Sequence, residues 1–161
     1  LAVLIIPSSM ILNIAYPKYN EVFTINIGGV KMIPPDTSVD VNVFSDKASF
    51  FALADWVKAN TSVDSLFLTF PAYGAGRFRA FSERSVVVDF KIMPISSEEL
   101  VQSWFERYTE VLNLYKTNDT SLFNATAHKY DADYILVYSQ NNKLNLPVAY
   151  SNDKYIVYKP I

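Results

Sequence analysis

Gly74, Gly76, Arg77, Arg79 and Arg84 crowd one short stretch, G-A-G-R-F-R-A-F-S-E-R, and Asp89 follows closely. Arginine forks pair bidentately with phosphate or carboxylate, and glycine lets the backbone approach a ligand. A loop of this composition suits a diphosphate sugar or a lipid phosphate. It is not a nucleotide loop, because G-A-G-R is neither G-x-G-x-x-G nor a Walker sequence with its lysine and hydroxyl pair. A plainer reading stands beside this one: Arg84 pairs with Glu83 or Asp89 and pins the loop to the sheet. Asp89 and Lys91 are two apart and share a face if the segment is a strand. An Asp at a strand's carboxyl end can act as a base or a metal ligand. A single carboxylate without a second is more commonly part of a structural ion pair.

The remaining reactive side chains offer less. Trp104 and Arg107, three apart in W-F-E-R, can stack and contact a sugar, but the apolar stripe around Trp104 reads as core. His128 falls near the end of a helix, where a cation suits the dipole. Tyr130, Tyr134, Tyr138, Tyr150, Tyr155 and Tyr158 offer stacking surfaces for glycans, and strand packing accounts for them equally well. The chain has no Cys and one His, which excludes disulfides and thiolate metal sites and disfavours a His-based metal centre or a Ser-His relay. No catalytic set, metal site or cofactor is read from it. A net charge of −2 gives no bulk field for nucleic acid.

The elements that must position these residues follow from periodicity. S-L-F-L-T-F (65–70) and S-V-V-V-D-F (85–90) are short apolar runs of the kind that form strands buried on both faces, mostly in parallel α/β sheets. The arginine loop between them then opens at the carboxyl end of the first strand, where open α/β sheets place ligands. Before it, Ser45 and Asp46 start a helix with Phe50, Ala54 and Val57 on its apolar face, flanked by Phe51 and Trp56. After it, Ser96 and Glu99 form a capping box for a helix to about Tyr115. That helix buries Leu100, Val101, Trp104, Phe105, Tyr108, Val111, Leu112 and Tyr115. Asp119 or Thr120 starts a third helix with Leu122, Phe123, Ala127 and Tyr130 inward. Y-I-L-V-Y (134–138) is a buried strand, and Val148–Tyr150 with Y-I-V-Y (155–158) forms an antiparallel hairpin. The fold class is α/β: a Rossmann-like sheet with flanking helices, in two or three layers, and an antiparallel C-terminal edge.

The chain of 161 residues divides into an apolar segment 1–16, a β-rich connector 17–44 and an α/β domain 45–161. Residues 1–16 are nearly uncharged yet shorter than the roughly 20 residues that cross a bilayer. They read either as buried core or as the end of a transmembrane helix that begins upstream. In the connector, E-V-F-T-I-N-I-G-G-V-K-M-I alternates as a hairpin turning at Gly28-Gly29. Sequons at Asn60, Asn118 and Asn124 carry little weight in a chain so rich in Asn, Ser and Thr.

A-D-W-V-K-A-N-T, D-S-L-F-L-T-F-P, F-R-A-F-S-E-R-S-V-V-V-D-F-K and W-F-E-R-Y, with the closing D-A-D-Y-I-L-V-Y and Y-I-V-Y-K-P, carry a resemblance over roughly residues 45–161. Together they resemble the soluble tail domain of an uncharacterised group of polytopic membrane proteins akin to GT-C glycosyltransferases. R-x-F-S-x-R-S-V-V-V-D is its most specific piece. The resemblance implies a membrane-associated, extracytoplasmic address and supports the transmembrane reading of residues 1–16. It carries no catalytic residue onto this chain. The expected function is therefore accessory, binding a saccharide, an anionic ligand or a partner. The expected partners are the membrane-embedded part of the parent chain and a lipid-linked sugar or glycan. Gly74, Gly76, Arg77, Arg79, Arg84 and Asp89 are the candidate site. The alternative is a stand-alone small-molecule or phosphate-ester enzyme, with Asp89 as base or metal ligand and the arginine loop as anion clamp.

Overall fold

The computed structural model describes residues 25–27, 30–32, 47–71, 74–94 and 97–161. The apolar segment 1–16, most of the connector and the expected helix start at Ser45 and Asp46 lie outside the described residues. The chain forms two compact units, Leu1–Asp36 and Thr37–Ile161. In the first, β1 (Ile25–Ile27) and β2 (Val30–Met32) pair antiparallel with Ile27 opposite Val30. That is the hairpin expected from the alternating sequence.

The second unit runs α1 (Lys47–Asn60), β3 (Leu66–Leu68), α2 (Gly74–Ser82), β4 (Ser85–Val86), a 3-10 turn (Phe90–Ile92), α3 (Glu98–Leu114), α4 (Thr120–Lys129), β5 (Tyr134–Tyr138), β6 (Val148–Ser151) and β7 (Tyr155–Tyr158). Its sheet has the order β4-β3-β5-β7-β6. The first three strands are parallel, and β7 runs antiparallel to both β5 and β6. This is a mixed α/β fold with an antiparallel C-terminal edge.

Strand periodicity divides the core in two. Phe67, Leu136, Tyr155 and Val157 point to one face and pack with Phe50, Leu53, Val57 and Phe78 from α1 and α2. Leu68, Ile135, Val137 and Tyr158 point to the other and pack with Tyr108, Val111, Leu112, Phe123 and Ala127 from α3 and α4. Successive residues of a strand project to opposite faces, so a sheet covered by helices on both sides needs apolar residues at every position. The uninterrupted Y-I-L-V-Y meets that requirement, and the domain is a three-layer sandwich. Tyr115 closes it: its buried hydroxyl lies 2.9 Å from the Leu68 carbonyl on β3 and 2.8 Å from the Leu136 carbonyl on β5.

The helices begin where local chemistry directs. Asp119 caps α4, its carboxylate accepting from the Ser121 and Leu122 amides at 2.9 and 3.2 Å. That cap sets the helical phase so that Phe123, Thr126 and Ala127 face inward. Leu122, expected inward, is exposed instead. The α3 cap is Ser97, which accepts from the Leu100 amide at 3.2 Å. The N-cap thus falls one residue after the expected Ser96, the third helical position is Leu100 and not Glu99, so no capping box forms, and Leu100 is exposed rather than buried.

Two further expectations are corrected. The segment expected as a glycine-arginine loop contains helix α2 over Gly74–Ser82. Glycine disfavours a helix by about 1 kcal/mol, and here Ala75, Phe78 and Ser82, on one helical face, are buried to hold it. The strand expected over residues 85–90 is only Ser85–Val86, followed by a 3-10 turn. Its short pairing with β3 leaves Val87 and Val88 buried in the core without extending the ladder.

Candidate functional site

The arginines that the sequence places together differ in burial. Arg77 and Arg79 are exposed on α2. Arg84 is 7 % exposed and saturated with hydrogen bonds. Its Nε donates to Thr61 Oγ1 at 3.0 Å and its Nη2 to the Lys58 and Thr61 carbonyls at 3.0 and 2.9 Å. Its Nη1 donates to the Ser82 and Glu83 carbonyls at 3.3 and 3.2 Å. One guanidinium thus caps the carboxyl ends of α1 and α2, where the carbonyls have no partner in their own helix and carry partial negative charge. Neither Glu83 nor Asp89 pairs with it. Glu83, with φ 56° at the end of α2, instead meets Lys58 at 2.7 Å on the surface.

Asp89 is 4 % exposed, and its carbonyl accepts the Trp104 indole N–H at 3.2 Å. Trp104 stacks on Tyr108 with centroids 5.2 Å apart and adjoins Phe90, so its ring belongs to the core. Gly74 opens α2 and Gly76 lies within its first turn. Both glycines therefore belong to a helix and not to a loop. His128 lies in the last turn of α4, as expected, with Nε2 2.9 Å from the Ile161 carbonyl. Among the terminal tyrosines, Tyr134 stacks on Phe67 and Tyr150 on Trp56, and Tyr155 is fully buried.

A different constellation surrounds a cleft of about 330 Å³ lined by Leu66, Val86, Val87, Arg107, Lys129, Tyr130 and Asp131. Leu66 opens β3 and Asp131 precedes β5, so this cleft flanks the amino ends of these parallel strands. Its polar wall is built by two helices. Arg107 and Glu110 are three apart on α3, hence on one face. Lys129 ends α4, Tyr130 is its C-cap, and Asp131 follows with φ 54°, turning the chain toward β5.

Tyr130 is the hub. The Arg107 guanidinium lies 5.2 Å from its ring centroid, and so does Lys129 Nζ. The Tyr130 hydroxyl donates to Glu110 Oε2 at 2.6 Å, and Lys129 Nζ meets the same oxygen at 2.6 Å. Partial burial pushes the Glu110 carboxyl up, but hydrogen bonds from Lys129 and Tyr130 outweigh it and hold the group below its ordinary value. The same contact raises Lys129, while burial first and then Glu110 raise Tyr130. All three therefore keep their ordinary charge states at neutral pH. Arg107, exposed, has a cation–π contact with Tyr130 and no hydrogen bond or ion pair among the described residues.

Lys129, Glu110 and Asp131 carry no distinct signal in the sequence, where Arg107 is matched with Trp104 instead. The spacing of Arg107 and Glu110 was visible, but their meeting with residues 129–131 depends on how α3 packs against α4. The cleft suits binding: cations for an anion, carboxylates for hydroxyls, and an apolar floor. Among the described residues no cluster of His, Asp or Glu is arranged to hold a metal ion, and no helix is long and apolar enough to cross a membrane.

Residues 48–111, from α1 into α3, match a family described as "Domain of unknown function (DUF6798)". No curated protein and no solved structure matches the chain.

Proposed function

We propose that this domain is an accessory binding module, not itself catalytic, that takes a small anion-bearing ligand, a saccharide among them, in the Arg107–Lys129–Tyr130 cleft. The observation that carries this reading is Arg107: its guanidinium is held against the Tyr130 ring at 5.2 Å while its hydrogen-bonding edge stays uncommitted. The cation–π contact favours this placement of the guanidinium, which lowers the side-chain freedom lost when an oxyanion binds.

The wider role rests on the resemblance of residues 45–161 to the soluble tails of GT-C-like polytopic membrane proteins. In this reading the domain sits on the extracytoplasmic face of a membrane, beside the membrane-embedded part of its own chain, and holds a glycan or the head of a lipid-linked sugar. The parallel β4-β3-β5 half, with α2 crossing between β3 and β4, supports describing the sheet as Rossmann-like. The alternative of a stand-alone phosphate-ester enzyme draws less support. It needs Asp89 and Arg84 at a ligand, and Asp89 is buried while Arg84 serves five hydrogen bonds to protein oxygens.

The test is titration of the chain with glucuronate and with glucose 6-phosphate, followed by amide NMR shifts. The reading expects at least one to shift residues 107, 110 and 129–131 saturably, and Arg107→Ala to abolish the effect. Shifts confined to α2, or none with either compound, would overturn it.

A further inference from the structure

The charge inventory of the cleft narrows the ligand class, given that the Arg107 cleft is the binding site as proposed above. Two cations line it, Arg107 and Lys129, and one lining carboxylate, Asp131, stands among them. Glu110 supplies a second carboxylate, whose Oε2 is 2.6 Å from both Lys129 Nζ and the Tyr130 hydroxyl. The formal sum is zero. Lys129 is already served by an internal anion, so Arg107 is the cation with no oxyanion of its own.

We infer that the ligand is a monoanionic, hydroxylated carboxylate of sugar-acid type, and that Glu110 selects against dianions such as phosphate monoesters. A planar carboxylate matches the Arg107 fork with two parallel N–H donations. A second negative charge has no free cation to meet and falls within range of Glu110 and Asp131, where like charges repel. Hydroxyls have the opposite preference: they donate to ionised carboxylates, which only accept. Leu66, Val86 and Val87 give the ring an apolar surface to rest on. The volume of about 330 Å³ is enough to seat one sugar ring against this surface.

Three probes separate these features: glucuronate (one charge), glucose (none) and glucose 6-phosphate (nearly two charges at pH 8, since a phosphate's second pKa is about 6). Affinities are measured for the chain by NMR titration at one fixed ionic strength. Glucuronate is expected to bind about fivefold or more tighter than either of the others. Glu110→Gln removes the internal anion and frees Lys129, so it should strengthen glucose 6-phosphate more than glucuronate and narrow the gap. Glucose 6-phosphate binding as tightly as glucuronate at the cleft overturns the selectivity while leaving the anion-binding reading in place. So does a gap that Glu110→Gln leaves unchanged. A failure of both charged probes to shift residues 107 and 129–131 overturns both.

Discussion

Arg84 and Thr61 are joined twice: the guanidinium donates to the threonine hydroxyl at 3.0 Å and to its backbone carbonyl at 2.9 Å. Thr61 in turn donates its hydroxyl to the Val57 carbonyl at 2.7 Å. The result is a continuous run of donors and acceptors closing the end of α1. A buried cation ordinarily calls for a carboxylate. Here the partial charges of two helix ends, together with the hydroxyl, compensate it.

Removing that cation strands several carbonyls at once. Arg84→Ala is expected to lower unfolding stability by about 3 kcal/mol, in the range for breaking a buried hydrogen-bond network. Arg84→Lys should recover little of it, because an ammonium cannot span both helix ends as the planar fork does. Urea midpoints at constant m-value measure both; a loss below about 1 kcal/mol for the alanine variant would contradict the double-cap account.

Tyr115→Phe deletes a single hydroxyl that faces two strand carbonyls. The phenol has one hydrogen for two acceptors, so the loss is expected near 1–2 kcal/mol, without a cavity term. Burial raises this phenol well above its ordinary value. It should therefore be missing from the tyrosines that titrate spectroscopically in alkali while the fold persists.

The surface of α2 makes a contrasting case. Arg79→Ala should change stability by no more than about 0.5 kcal/mol and leave the binding of glucuronate to the cleft unaltered. A loss of binding in this variant would return the site to the arginine segment singled out in the sequence.

Acid should weaken the wall of the cleft. The folded pKa of Glu110 is depressed, so its contribution is present above its unfolded value, about 4.3, and disappears as pH falls through the folded one. The stability difference between the wild-type chain and Glu110→Gln should thus be constant near neutrality and shrink toward zero in acid. The partner behaves oppositely: Lys129, raised by the same contact, contributes fully below about 10.4 and loses that contribution as alkali removes its proton. Chemical denaturation of the two proteins across the acid range measures the first effect. A difference that grows as pH falls would reverse the assignment.

Elements with long or uninterrupted patterns were legible. The α3 stripe, the Y-I-L-V-Y strand and the C-terminal hairpin all stand in the structure, each specified by its own residues. The segment around Gly74 and Gly76 misled because glycine and exposed arginine read as loop. The overriding signal, Ala75, Phe78 and Ser82 on one helical face, involves only three buried side chains, two of them small. For Arg84 the sequence offers an anionic ligand or an acidic neighbour, whereas its partners are four backbone carbonyls and the Thr61 hydroxyl, which no sequence spacing advertises. The cleft was the least legible feature. Arg107 meets Tyr130 only because α3 and α4 cover the same sheet face, and no local periodicity encodes that meeting.

The placement of β7 between β5 and β6 sets an order of assembly during synthesis. Parallel pairing of β4, β3 and β5 can begin once residue 138 has emerged. At that moment β5 still presents a bare edge carrying Ile135, Leu136 and Val137, a template for another chain to pair with. The next strand to emerge, β6, does not pair with β5 and waits for β7 as well. Only Tyr155–Tyr158 fits between them, supplying Tyr155 and Val157 to one core and Tyr158 to the other. A chain truncated before Tyr155 would leave that β5 edge unpaired and is expected to associate with other chains.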